Sequence, residues 1–242
     1  MIDSGVNTAH PHICSPVKTV VVGEAGDDAS SLEDTLGHGT AVTAAIQDKA
    51  PAAEYFAVKI FGPSLRTTTG RLIEAIEWAI ANRMDVVNLS LGTTRIDAWD
   101  QFQILVDRAW SVGSVLVCAR DASLRALLPG AIPGVIGVDV DWDLPRNRYR
   151  IADGASCYFL ASGYPRPLPG VPRARNLNGI SFAVANMSGF VARACEKLCE
   201  RSFDSVREAL AAEIREHSRE SAEGVASPPW KDAGAEPIVP FH

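Results

Sequence analysis

A chain of 242 residues, 47% of them hydrophobic and 21% charged, has the material for one sizeable core, and its length suits a single α/β domain. The net charge of −6 argues against nucleic acid as the main partner, because phosphate binding calls for clustered Lys and Arg. No apolar run reaches the length of a bilayer span, and the opening MIDSGVNTAH lacks the basic and then apolar regions of a secretion signal; no membrane partner and a cytoplasmic location are expected.

In chain order, IDSGV puts Asp3 at the end of a short apolar run, just before a glycine turn. VKTVVV (17–22) reads as a buried parallel strand. Asp27, Asp28, Glu33 and Asp34 follow without the ligand spacing of a calcium loop and are expected to form a solvated acidic face, with no metal. GHGTAVTAAI (37–46) opens a helix, with His38 set between two glycines at its start.

YFAVKIF (55–61), DVVNLSL (85–91), SVLVCA (114–119) and GVIGVDV (134–140) are further apolar runs suited to strands buried on both faces. Between them, TGRLIEAIEWAIANR (69–83) repeats Leu72, Ile73, Ile76, Ala79 and Ile80 at helical spacing and turns Glu74, Glu77 and Arg83 outward. WDQFQILVDRAWSVG (99–113) is a second crossover helix, stopped by Gly113. These βαβ units predict the fold class: α/β, one domain with a mostly parallel central sheet flanked by helices.

NGISFAVANMSG (178–189) places Ser181 at a glycine-flanked corner that opens a run of small and apolar residues. From this stretch alone two roles are open, a helix cap and a nucleophile at a helix N-terminus. SFDSVREALAAEIREHS (202–218) is a closing helix, with Ser205 and Glu208 three apart as a capping box. The domain is expected to span residues 1–226, and the proline-rich 227–242 to form an arm or tail. Five cysteines without a CxxC pair indicate neither a disulfide framework nor zinc, and Cys195 and Cys199 are expected to share one helical face. No cofactor is implied.

Asp3, His38 and Ser181, with their flanking motifs, occur in an order and with spacers that make the chain resemble the subtilase family, the subtilisin-like serine peptidases. IDSGVNTAHP resembles the family's aspartate segment, GHGTAVTAAI its histidine segment, and NGISFAVANMSG the serine motif written GTSMAxPxxxG. APAAEYFAVKIF and DVVNLSLGT resemble the two strands that follow the histidine. The resemblance covers roughly residues 2–217 and implies a triad in which Asp3 orients His38 and His38 activates Ser181.

Several positions depart from that pattern. Where the family's oxyanion asparagine stands, in A-A-G-N, this chain reads CARDAS, with Asp121 in the oxyanion position. An ionised carboxylate accepts hydrogen bonds and repels an oxyanion, whereas a protonated one donates, so Asp121 either handicaps the site or moves its activity toward acid. Arg120 replaces a glycine that in the family lines the P1 pocket together with a strand resembling Ser90–Leu91–Gly92, the expected substrate-binding residues. It either selects acidic side chains, blocks the pocket, or turns to solvent. Ile180, Phe182 and Ala185 stand for the family's Thr, Met and Pro without removing a catalytic group. Only Met1 and Ile2 precede Asp3, so the central first strand is expected to be short, and either the start is misassigned or a partner or missing segment completes the sheet.

The function these readings imply is a serine endopeptidase acting through an acyl-enzyme on a peptide or protein, in intracellular processing. The alternative is a pseudopeptidase that binds a peptide or partner in the same cleft without cutting it.

Overall fold

The apolar runs and the amphipathic stretches between them become alternating strands and helices. The computed structural model describes residues 1–22, 33–120, 126–152 and 158–223. Its elements are β1 (Ile2–Asp3), β2 (Val17–Val21), α1 (His38–Gln47), β3 (Tyr55–Lys59), α2 (Thr69–Ala81), β4 (Val86–Leu89), α3 (Trp99–Ser111), β5 (Val115–Ala119), β6 (Ile136–Val140), β7 (Tyr149–Ile151), β8 (Phe159–Ala161), α4 (Ile180–Cys195) and α5 (Phe203–Glu223). The described strands form one sheet in the order β2-β3-β1-β4-β5-β6-β8-β7, with every neighbouring pair parallel except β7 and β8.

Alternation along each strand splits the core between the two faces of this sheet. From β5, Leu116 and Cys118 join a cluster with Leu72 and Ile76 of α2 and Phe102 and Val106 of α3. Val115, Val117 and Ala119 face the other way, toward Val184, Met187 and Phe190 of α4 and Val206 and Leu210 of α5. α1 crosses α4 on that second face, where Val42 and Ile46 meet Phe182. Their close approach depends on Gly189, whose Cβ, if present, would lie 2.7 Å from Lys49 Cβ.

β1 lies in the middle of the sheet between β3 and β4, with Ile2 opposite Val58 on one side and Leu89 on the other. It is two residues long, as expected, and beside it a cavity of about 590 Å³ separates Tyr55 and Phe56 of β3 from Val86, Val87 and Asn88 of β4.

Two local expectations are corrected. The closing helix starts earlier than its sequence box implied: Ser202 Oγ accepts from Ser205 N at 3.1 Å while Ser205 Oγ accepts from Ser202 N at 2.9 Å, so the reciprocal cap is Ser202 with Ser205, not Ser205 with Glu208. Cys199 does not share a helical face with Cys195, because α4 ends at Cys195 and Cys199 lies exposed beyond it. The expected tail, 227–242, falls outside the described residues.

Candidate active site

In a parallel sheet flanked by helices, strand carboxyl ends and helix amino ends gather along one edge. Asp3 ends β1, Ser90 follows β4 and Arg120 follows β5, while His38 opens α1 and Ser181 is the second residue of α4.

Asp3 is fully buried. Its Oδ1 accepts from Ser4 N at 2.8 Å and lies 2.7 Å from His38 Nδ1. The His38 side chain keeps 15% of its surface exposed, so the ring is anchored at one nitrogen and reachable from solvent. Burial by itself would lower the His38 pKa, but the hydrogen bond and charge of Asp3, joined by the charge of Asp34, outweigh it and raise the pKa above its ordinary value.

Asp34 corrects the sequence reading, which placed it on a solvated acidic face. It is 9% exposed, and Oδ1 accepts from Ser4 Oγ, Leu36 N and Gly37 N while Oδ2 accepts from Thr40 N and Thr40 Oγ1, all within 3.0 Å. The missed signal was an aspartate three residues ahead of the glycine that caps α1, near enough to accept from the free amides at the helix start. Ser4 Oγ in turn accepts from Gly39 N at 3.0 Å. Only glycine fits there, since a Cβ on Gly39 would lie 2.2 Å from the Gly5 carbonyl oxygen.

Of the two roles open for Ser181, capping is not the one observed. The cap of α4 is Gly179, at φ 147°, without a side-chain hydrogen bond, and Ser181 Oγ instead donates to the Ser90 carbonyl at 3.0 Å. Ser90 Oγ lies 3.0 Å from the Ser181 carbonyl oxygen and 3.1 Å from Asn88 Oδ1. The His38 ring packs against Phe182, with centroids 5.7 Å apart, which brings the start of α1 to the start of α4.

Leu91 and Gly92 continue from Ser90 toward Thr93, which pairs with Leu128 through hydrogen bonds in both directions. Leu127 N donates to the Arg120 carbonyl, tying this segment to the end of β5. The Arg120 side chain, expected to select acids, block the pocket or turn to solvent, takes a direction not among these: it pairs with Asp139 of β6 at 3.2 Å, with the guanidinium carbon 4.2 Å from the centre of the Tyr158 ring. Asp121 lies outside the described residues. Among the described residues, no group of three His, Cys, Asp or Glu side chains is placed to hold a metal ion, and no helix is long and apolar enough to cross a membrane.

Comparison with known proteins adds independent findings. The family model described as the subtilase family matches residues 1–124. The chain is 28% identical over 247 residues to the membrane-bound transcription factor site-1 protease of Mus musculus, covering 89% of this chain but 22% of that protein. It therefore spans only about a fifth of that relative's length. With subtilisin BL of Lederbergia lenta it is 30% identical over 242 residues, covering 94% of this chain and 83% of that protein. Among solved structures, a cold-adapted subtilisin-like serine proteinase superposes with a TM-score of 0.60 at 19% identity, covering 85% of this chain and 77% of that one, a likeness of fold. Together with the sheet order, the family model and the relative of near-equal length establish that the chain belongs to the subtilase family.

Proposed function

We propose that this chain is a serine peptidase that hydrolyses peptide bonds through an acyl-enzyme, with Ser181 as nucleophile, His38 as base and then acid, and Asp3 as the orienting carboxylate. The observation that carries this reading is the buried Asp3 carboxylate 2.7 Å from His38 Nδ1. In this reading Nδ1 keeps its proton and donates it in a hydrogen bond to Asp3 Oδ1, which leaves Nε2 to accept another. Ser181 Oγ attacks the carbonyl carbon as its proton passes to Nε2; the resulting imidazolium, stabilised by Asp3, gives that proton to the leaving amine. Water then repeats the sequence on the ester. Gly179 has no side chain to occupy the first-turn amides of α4, and the Ser181 N–H serves the oxyanion there. Asp121 takes the second oxyanion position in this reading.

The Arg120 charge is already matched by Asp139 and its plane rests on Tyr158, which favours a narrowed P1 pocket over one that selects acids. A narrowed pocket supports processing of a specific peptide or protein rather than general digestion. Cys14, Cys118, Cys195 and Cys199 are all free thiols, which supports a cytoplasmic site of action.

A binding module without turnover is the second reading, favoured by the Ser181 hydroxyl bonding to the Ser90 carbonyl. Intact-mass labelling with a fluorophosphonate from acid to neutral pH, with Ser181→Ala alongside, separates the two. Labelling of the unaltered protein alone supports the peptidase. A folded sample that stays unlabelled at every pH leaves the binding module.

A further inference from the structure

We propose that Asp34 is a positioning residue of this site, a second buried carboxylate that fastens the strand carrying Asp3 to the helix carrying His38. The inference rests on the reading of Asp3, His38 and Ser181 as the catalytic groups. Asp3 and His38 belong to different elements, and a 2.7 Å contact between them survives only if β1 and α1 are held in register. Asp34 supplies that hold. On one side it accepts from the hydroxyl of Ser4, the residue after Asp3; on the other it accepts from Leu36 N, Gly37 N and Thr40 N, at the entry and first turn of α1.

Thr40 extends the fastening: its Oγ1 donates to Asp34 Oδ2 at 2.7 Å and accepts from Asn7 N at 2.9 Å, so the chain beyond Asp3 is tied to α1 a second time. Ser4 Oγ accepts from Gly39 N and donates its own hydrogen bond to Asp34 Oδ1. Apart from the bond from Asn7 N to Thr40, each contact has Asp34 or Ser4 between the element carrying Asp3 and the one carrying His38, so loss of Asp34 loosens the orientation of His38 rather than removing a group that touches substrate.

Asp34 also acts through charge. The charged groups that act on His38 are Asp3 at the end of β1 and Asp34 before α1; at the start of β1, burial lowers the pKa of the Met1 amine to about 6 in spite of the Asp3 charge. Lys59 of β3 stands opposite Asp3 in register and donates to the Glu33 carbonyl at 2.7 Å. His10, His12 and Arg166 share with Asp34 the lining of a neighbouring pocket of about 180 Å³. From α4 the contact is the uncharged Phe182. Asp34 and Asp3 are the two charges that favour protonated His38.

The test follows the His38 ring by NMR across pH in a Ser181→Ala background, where no turnover intervenes, and measures the fluorophosphonate labelling rate in the Ser181 protein. Asp34→Asn is expected to lower the His38 pKa by about half a unit or more and to weaken the downfield Nδ1 proton signal. Asp34→Glu, which keeps the charge, is expected to restore most of the pKa. Ser4→Ala keeps the Asp34 charge but cuts the link to β1; it is expected to weaken the Nδ1 signal with a smaller shift, and it decides the matter if Asp34→Asn does not fold. Labelling is expected to slow about tenfold in Asp34→Asn. An unchanged His38 titration and Nδ1 signal in folded Asp34→Asn, or an unchanged Nδ1 signal in Ser4→Ala, overturns the proposal. A protein that never labels defeats the peptidase reading, while the titration still decides the role of Asp34.

Discussion

Ser181 and Ser90 exchange side-chain contacts with each other's backbone: Ser181 Oγ donates to the Ser90 carbonyl at 3.0 Å, and Ser90 Oγ sits 3.0 Å from the Ser181 carbonyl. The pair fastens the start of α4 to the end of β4, and Asn88 Nδ2 repeats the connection two turns along by donating to Ser188 Oγ at 3.0 Å. Because Ser90 is buried, Ser90→Ala is expected to cost about 1 kcal/mol in urea unfolding. It also loosens the Ser181 backbone and slows fluorophosphonate labelling. Unaltered stability and labelling would mean that the two contacts do not hold Ser181.

The raised His38 pKa sets a direction for both activity and stability. A base must be unprotonated, so the acid limb of labelling is expected to have its midpoint above 6.5, the ordinary imidazole value. For stability, the folded pKa lies above the unfolded one, so the His38–Asp3 pair contributes fully below the unfolded pKa and its contribution fades as pH rises through the folded value. Denaturant unfolding of Asp3→Asn should therefore differ more from the unaltered protein at pH 6 than at pH 9. Its labelling should fall by as much as about 10⁴.

Fold and site were legible to different depths. β3, β4, β5 and β6 lie sandwiched between helices, so each announces itself as a continuous apolar run within two residues of its true bounds. β7 and β8 are three residues each and antiparallel at the sheet edge, too short for a period to emerge. Asp3, His38 and Ser181 were candidates from their motifs alone; the sequence does not say that Asp3 Oδ1 lies 2.7 Å from His38 Nδ1 while Ser181 Oγ bonds to the Ser90 carbonyl. Asp34 was misread because a run of acidic residues looks solvated when charge is counted without the helix start beside it; five donors around one carboxylate are a tertiary fact. The direction of Arg120 was open for the same reason, since Asp139 and Tyr158 are distant in sequence.

Arg120→Gly removes a side chain whose charge Asp139 neutralises and whose plane Tyr158 supports. If it narrows the P1 pocket, a peptide library should be cut after small residues by the unaltered protein and after larger apolar ones by the variant, through a rise in kcat/KM for bulky P1 of at least about tenfold. A library profile that Arg120→Gly leaves unchanged would place Arg120 outside the pocket.

Asp121→Asn tests the oxyanion position from the sequence side. An amide donates where an ionised carboxylate repels, and one such donor is worth roughly 2.7–4 kcal/mol, so labelling and turnover at neutral pH should rise on the order of 10²–10³. If Asp121 instead works protonated, the unaltered protein should be faster in acid, and the variant should lose that acid preference because its amide does not titrate. Rates and pH profiles that match in the two proteins would remove Asp121 from the oxyanion site, leaving the first-turn amide of α4 at Ser181 as the donor on which turnover depends.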